Sequence, residues 1–252
     1  MPELPLSQSG RRYGFKPSPR DHRDFGAGRL FGAAPIPPLM DLEPWCGLVK
    51  NQGQEGSCTA HAGTGNLEYL YRRFLDVKLV FSPQFLYYVE RWFDNDLPGD
   101  NGSYGRTSVR CMNRFGCCLE ETDPYDPSQM DTKPTDAQFA AATSFRGGAY
   151  HALSTVDEMK RCLASNYPFL LGFAVHQSFE EIGSDGIAPP PSGTIIGGHE
   201  VLVIGYDDTT SRFKVRNSWG AGWGASGNFF IGYGDLLDVM DEAWIQHFGK
   251  PW

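Results

Sequence analysis

The 252-residue chain contains no run of 18 apolar residues, so no segment has the makings of a membrane-spanning helix. Basic residues are in short supply. The 22 Lys and Arg stand against 30 Asp and Glu, and the resulting charge of −8 argues against nucleic acid as the main partner. The first residues, Met1 to Pro5, lack both the charged and the apolar region of a secretory signal, which points to a cytoplasmic protein, with secretion by a route without a classical signal peptide as the alternative. In that setting the six cysteines are expected as reduced thiols rather than three disulfides. Metal-ligand spacing is missing as well. Cys58 and His61 have no second pair to complete a zinc site. Pro98 and the spacing of Asp94, Asp96, Asp100 and Asn101 do not fit a calcium loop. No metal and no cofactor is expected, and there are no internal repeats.

What is present describes a well-packed protein with many tight turns: 13% aromatic residues and 30 Gly. The length suits two modest lobes better than one core. Charge is unevenly spread. Residues 11–29 carry six basic against two acidic side chains, a net +4, which leaves −11 for everything after residue 29. Residues 1–44, rich in Pro, Gly and Arg and without a sustained period, form an arm rather than a domain. A basic arm on an acidic body is a candidate for intramolecular docking, with a plain solvated leader as the alternative.

Beyond the arm the pattern turns helical. From Cys58 to Leu75, the residues Leu67, Leu70, Tyr71, Phe74 and Leu75 mark one apolar face. Ser82 and Pro83 read as an N-cap and first helical residue of a helix through Phe93. Residues 94–106 form a loop, Thr107 to Phe115 a short helix stopped by Gly116, and Thr135 with Asp136 opens another. Thr155 to Glu158 is a capping box opening a helix to about Ser165. Then come strand-like runs at Phe169–Val175, Val201–Tyr206, Arg212–Arg216 and Asn228–Tyr233. The organisation is therefore an arm (1–44), a helical lobe (45–145) and a β-rich lobe (146–252). A cleft between two such lobes is where a small active site is expected.

Three places carry chemistry. A thiol attacks well only as thiolate, and a helix N-terminus or a nearby imidazolium favours that form. Cys58 occupies such a terminus, with Gly53 and Gly56 loosening the loop before it. The other five cysteines lack this setting and read as small buried hydrophobes. Of six histidines, His199 alone follows a Gly pair and begins a β run, so its ring can project from a rigid strand start; His61 reads as packed or capping. Asn217, 18 residues later, returns across a hairpin as a partner to hold that ring, and Trp219 can cover the contact. Gln52 can donate a side-chain N–H to an oxyanion, with the main-chain N–H of Cys58 as the second donor.

Gln52-Gly53…Gly56-Ser57-Cys58, Gly198-His199 and Asn217-Ser218-Trp219-Gly220 resemble the three signatures of the papain family of cysteine peptidases over roughly residues 42–235. His199 and Asn217 follow Cys58 by 141 and 159 residues, near the family's spacing. The resemblance implies an α+β, papain-like two-lobe fold with a helical left lobe, an antiparallel β-barrel-like right lobe and the site in the cleft between them. It implies Cys58 as nucleophile, His199 as base, Asn217 as orienter and Gln52 as oxyanion donor. Asn101-Gly102-Ser103-Tyr104 resembles the glycine ledge that binds extended substrate, so Gly102, Ser103, Gly198, Glu200 and Trp219 become candidate substrate-binding residues. Glu200 either points into the pocket, where it would favour a basic side chain, or turns away to a partner or solvent. Departures exist: Glu55 stands where the family usually has a disulfide cysteine, and Thr59 where it usually has Trp. With the long prodomain also missing, the chain is similar to a compact bacterial branch of the family. The expected partners are peptide or protein substrates and the chain's own N-terminal arm in the cleft, as in a zymogen. An acyltransferase or amidase on the same residues, and a non-catalytic peptide-binding protein, are the rival functions.

Overall fold

The structure, a computed structural model, describes residue 7, residues 10–28, 30–32 and 35–249. Arg29 of the basic segment lies outside the described residues. The elements, in chain order, are β1 (Phe15–Lys16), β2 (Leu39–Asp41), α1 (Cys58–Leu75), α2 (Pro83–Phe93), β3 (Ser103–Tyr104), α3 (Gly105–Arg114), α4 (Asp136–Ala142), β4 (Gly147–Ala152), α5 (Val156–Ala164), β5 (Phe169–His176), β6 (Ile195–Asp207), β7 (Arg212–Arg216), β8 (Asn228–Gly232), α6 (Tyr233–Val239) and β9 (Met240–Phe248).

Local chemistry sets the helix boundaries. The Ser82 side chain accepts the Phe85 N–H at 2.9 Å and Pro83 fills the first helical position, so α2 starts as the sequence predicts. Capping boxes at Thr135 and Thr155 start α4 and α5. α1 ends at Asp76, which takes the left-handed conformation (φ 56°), and Arg72 and Arg73 in its last turn complement the helix dipole. α3 begins two residues before the expected Thr107, directly from the β3 ledge.

The second half builds one antiparallel sheet in the order β4-β9-β5-β6-β7-β8, with β2 pairing β6 beyond the end of β5. The edge strands β4 and β8 do not pair with each other, so the sheet stays open rather than closing into a barrel. β6 is twice as long as expected, running from Ile195 to Asp207, because its Gly197–Gly198 end pairs fully with β5. α1 lies against this strand, with Gly65 facing Leu202. The short strand β2 ties the segment before α1 to the sheet, and Lys214 fixes it further by bonding Asp41 and Glu43 at 2.8 and 2.6 Å.

Candidate active site

Cys58 is the first residue of α1 and fully buried. The tight turn before it is held from several sides. Gly53 takes φ +60°, and Asp100 accepts the Gly56 N–H at 2.9 Å. Glu55, at the position of the missing family cysteine, is buried and accepts the Tyr125 hydroxyl at 2.7 Å; the same hydroxyl oxygen lies 2.9 Å from Gln52 O. A hydrogen-bonded side-chain pair thus anchors a loop where the family usually has a disulfide cysteine, and all six cysteines are free, as the sequence reading expected. His61 caps rather than reacts: its Nδ1 lies 2.9 Å from Ser57 O, one turn back.

His199 lies within β6, opposite Phe173 of β5, and its ring is buried. Its Nε2 is 2.8 Å from Asn217 Oδ1. Since Oδ1 only accepts, Nε2 carries the proton and Nδ1 is the bare, basic nitrogen. That Nδ1 is buried and has no hydrogen-bond partner among the described residues. Asn217 follows β7 directly, and its Oδ1 also accepts the Ser218 N–H at 2.8 Å. Trp219 stacks on the imidazole at 4.9 Å with 22° between planes, shielding the His199–Asn217 contact from water. The Gln52 side chain donates to Glu55 O at 2.8 Å and accepts from Ser218 Oγ at 2.6 Å, while its main-chain N–H binds Ser218 O at 2.9 Å. One of its two amide N–H bonds is engaged this way, and the other is the donor available to a ligand.

The arm crosses this site. Gly14 forms a bridge to Gly198, and its carbonyl accepts the Ser103 N–H at 2.8 Å. β1 pairs parallel with β3, so the expected ledge residues Gly102 and Ser103 are occupied by the chain itself. The fit is tight. A Cβ on Gly14 would stand 1.8 Å from Gly56 O, one on Gly102 1.9 Å from Gly14 O, and one on Gly198 2.5 Å from Phe15 O. Glycine is required at each of these close backbone approaches. Tyr13 packs edge-on to His199 at 5.9 Å and beside Trp219 at 6.0 Å, and the Arg11 guanidinium lies 4.5 Å over the Trp219 ring. Arg12 pairs with Asp100 at 3.5 Å and Lys16 with Asp96 at 2.5 Å. Those acidic residues, on the loop of residues 94–106, are where the basic arm docks.

Covering the site changes its electrostatics. Burial pushes the Cys58 thiol up to about 12, although hydrogen bonds from the main chain of Glu200 and Gly14 pull the other way. Burial also pulls His199 down to about 4, against the hydrogen bond it donates to Asn217 Oδ1. Under the arm both groups are neutral, which is not the thiolate form that attacks. Glu90 lies behind the nucleophile, its carboxylate accepting the Thr59 hydroxyl at 2.6 Å, and burial raises it to about 7. A pKa above the unfolded value means a contribution to stability that is full below the ordinary carboxylate range and lost as pH rises through 7. The melting temperature should therefore fall between pH 5 and 8, and Glu90→Gln should show a shallower fall in the same calorimetric series.

Sequence reasoning missed Tyr13, Gly14 and Phe15 as residues of the site, and with them Gly172 and Glu242 around Phe15. An isolated glycine inside the apolar run Phe169–Val175 was the available signal, since it marks a close approach of another group.

This fold and this assembly of residues define a class. A family model for papain family cysteine proteases matches residues 41–244, and the chain belongs to that family. It is 32% identical over 216 residues to a peptidase C1-like protein of Acanthamoeba polyphaga mimivirus, covering 77% of this chain and 68% of the relative. To a cathepsin B-like protein of Giardia intestinalis it is 29% identical, covering 73% of this chain and 63% of that one. Among solved structures, xylellain, a cysteine protease from Xylella fastidiosa, superposes with a TM-score of 0.89 at 29% identity over 99% of this chain and 100% of its own. A procathepsin L 3 from Tenebrio molitor shares the fold at a TM-score of 0.73 and 19% identity, over 90% of this chain and 75% of that one. The chain is a cysteine peptidase, a hydrolase with an α+β papain-like fold.

Proposed function

We propose that the chain is an endopeptidase that cleaves peptide bonds through a thioester on Cys58, and that its own arm holds it inactive. The observation that carries the first part is the His199–Asn217 pair. With Nε2–H tied to Asn217, the free Nδ1 is the nitrogen left to take the Cys58 proton. The thiolate then attacks the scissile carbonyl, and the oxyanion accepts from the Cys58 N–H and the Gln52 amide. The imidazolium returns its proton to the leaving amine. Water, deprotonated by the same nitrogen, then cleaves the thioester to free Cys58. Asn217 keeps the ring in the productive tautomer, and Trp219 keeps water off that hydrogen bond.

The second part rests on the position of the arm. Gly14 engages the ledge and packs against Gly56 in the turn before Cys58, and Tyr13 stands against His199, so an extended substrate has no room while residues 13–16 are in place. On a Tyr13→Ala, Phe15→Ala chain, in which the cleft is freed, a labelled epoxide that alkylates thiolates, with mass mapping of the modified peptide and a cleavage profile on a denatured proteome, tests the reading. Labelling at Cys58 together with internal cleavage supports it. Label on another cysteine, or acyl transfer without hydrolysis, rejects it. Gln52→Ala removes one oxyanion donor and should lower kcat by about 10²–10³. Steady-state kinetics on a fluorogenic peptide checks this, and a change in KM alone would remove Gln52 from the oxyanion hole.

A further inference from the structure

One hydroxyl gathers three residues of the turn that carries both oxyanion donors. Tyr125 lies between α3 and α4. Its oxygen is 2.7 Å from Glu55 Oε2, 2.9 Å from Gln52 O and 3.0 Å from Ser57 Oγ. The segment from Gln52 to Ser57 ends at the Cys58 N–H, one of the two donors. The Gln52 side chain, the other, is hooked to Glu55 O at 2.8 Å. Both donors therefore depend on how this turn is held. Ser57 is the N-cap residue of α1, yet its hydroxyl makes no cap bond and lies 3.2 Å from His61 Nδ1 instead.

The protons in this network do not match the contacts if Glu55 is ionised. Burial pulls His61 down to about 3, so its ring is neutral. Its Nδ1–H donates to Ser57 O at 2.9 Å, because a carbonyl oxygen only accepts. The Ser57 hydroxyl is then free to donate to the Tyr125 oxygen. Tyr125 has one proton for two acceptors, Gln52 O and Glu55 Oε2. An ionised Glu55 takes that proton and leaves Gln52 O against the phenol oxygen with nothing between them. A protonated Glu55 donates its own O–H to the Tyr125 oxygen, Tyr125 donates to Gln52 O, and every contact carries one proton.

The surrounding charge favours the same state. Glu55 is 4% exposed, and its Oε1 is buried with no hydrogen-bond partner among the described residues. A bare carboxylate oxygen is costly there. Among the described residues no cation pairs with Glu55: Arg91 of α2 bonds Asp131 and Lys50 bonds Glu68, each at 2.8 Å. Asp100, which faces Glu55 from the loop of residues 94–106, is a like charge and pairs with Arg12 of the arm. Glu120, accepting the Tyr125 main-chain N–H at 2.9 Å, is another. Burial raises Glu55 above the usual carboxylate range, against the hydroxyls of Tyr125 and Ser57, and Asp100 adds to the rise.

We propose that Glu55 is held as a neutral carboxylic acid, that through Tyr125 it is a positioning residue for both oxyanion donors, and that its ionisation loosens the turn and slows the reaction. A group whose pKa is raised by folding contributes fully below its ordinary range and loses that contribution as pH rises, so the effect lies on the alkaline side. The proposal rests on the peptidase reading of the site, and its first test needs no turnover.

Infrared difference spectra of the full chain, parent against Glu55→Gln, are taken at about pH 6, where an ordinary glutamate is ionised. The variant should lack one protonated-carboxyl band of the parent, and that band should fade as pH rises. Spectra with no such band lost overturn the proposal. A Glu55→Gln chain that no longer folds overturns it too, since the amide keeps the shape and the donor of the neutral acid. The second test is kinetic and uses the Tyr13→Ala, Phe15→Ala chain, whose cleft is free. Its kcat should fall about tenfold with the midpoint of the infrared titration, the loss expected for one hydrogen bond, while KM stays level. Glu55→Gln should abolish that fall. Tyr125→Phe should give the low kcat at every pH, whether residue 55 is Glu or Gln. A fall that is missing, a fall that Glu55→Gln leaves in place, or a Tyr125→Phe loss confined to KM overturns the positioning role. A chain that labels nowhere and cleaves nothing would remove the peptidase reading, while the infrared spectra would still decide the state of Glu55.

Discussion

Replacing Cys58 with alanine is expected to remove peptide hydrolysis altogether, because no other thiol in the chain is placed to substitute. The remaining five are buried and held protonated by that burial, as Cys46, Cys111, Cys117, Cys118 and Cys162 all have raised pKa values. His199→Ala should be nearly as severe, a loss of roughly 10⁴ or more, and adding it to Cys58→Ala should cost nothing further, since members of one catalytic unit do not act additively. Asn217→Ala should be milder. It frees the ring to rotate but leaves base and nucleophile in place. The comparison needs kcat/KM on one fluorogenic peptide for each variant, with melting curves to show that each is folded. Activity retained in Cys58→Ala would sink the whole mechanism.

The residues behind that prediction were legible because their chemistry demands local signatures. Cys58 needs a helix start, Asn217 needs the end of a returning strand, and both leave marks within a few residues. α2 was legible to the residue for the same reason, since Ser82 and Pro83 act over one turn. Other features depend on partners far along the chain. β4 and β9 read as nothing in particular, because a strand such as Gly147–Ala152 gains its identity only from pairing with Met240–Phe248. β6 read short because Gly197 and Gly198 look like a breaker until β5 and the arm lie against them. Glu200 was left between pocket and solvent, as alternation along one strand cannot say which face of the sheet meets the cleft. The register with Gly172 and Glu242 supplies that information. The arm itself carried a charge pattern that implied docking, but the aromatic residues that fill the cleft, Tyr13 and Phe15, gave no periodic signal.

Those two aromatics should dominate how firmly the arm is held. Tyr13 and Phe15 are 2% and 3% exposed, and burying each is worth about 1.5–3 kcal/mol as an upper estimate. The ion pairs Arg12–Asp100 and Lys16–Asp96 are partly exposed and worth about 0–1 kcal/mol each. Docking is therefore chiefly apolar, and high salt should relieve inhibition only slightly. The part of the arm that follows does a different job. Arg106 bonds Asp24 at 2.5 Å and Pro19 O at 2.8 Å, and Gly26 bridges to Ala152. Residues 18–27 thus strap α3 to the sheet, and deleting residues 1–30 would remove plug and strap together. Point substitution separates them. Tyr13→Ala with Phe15→Ala should release the plug and keep the strap, raising kcat/KM on a small peptide by about 10–100-fold, the factor set by some 1.4 to 2.8 kcal/mol of lost docking. Alkylation of Cys58 by iodoacetamide should accelerate in parallel, as the sulfur regains solvent and its pKa falls from about 12. Deletion of residues 1–30 should give a smaller gain in activity and a larger loss of melting temperature than the double substitution. If the double variant instead melts lower and turns over no faster, residues 13–16 serve as a strap as well, and the inhibitory role of the arm is excluded.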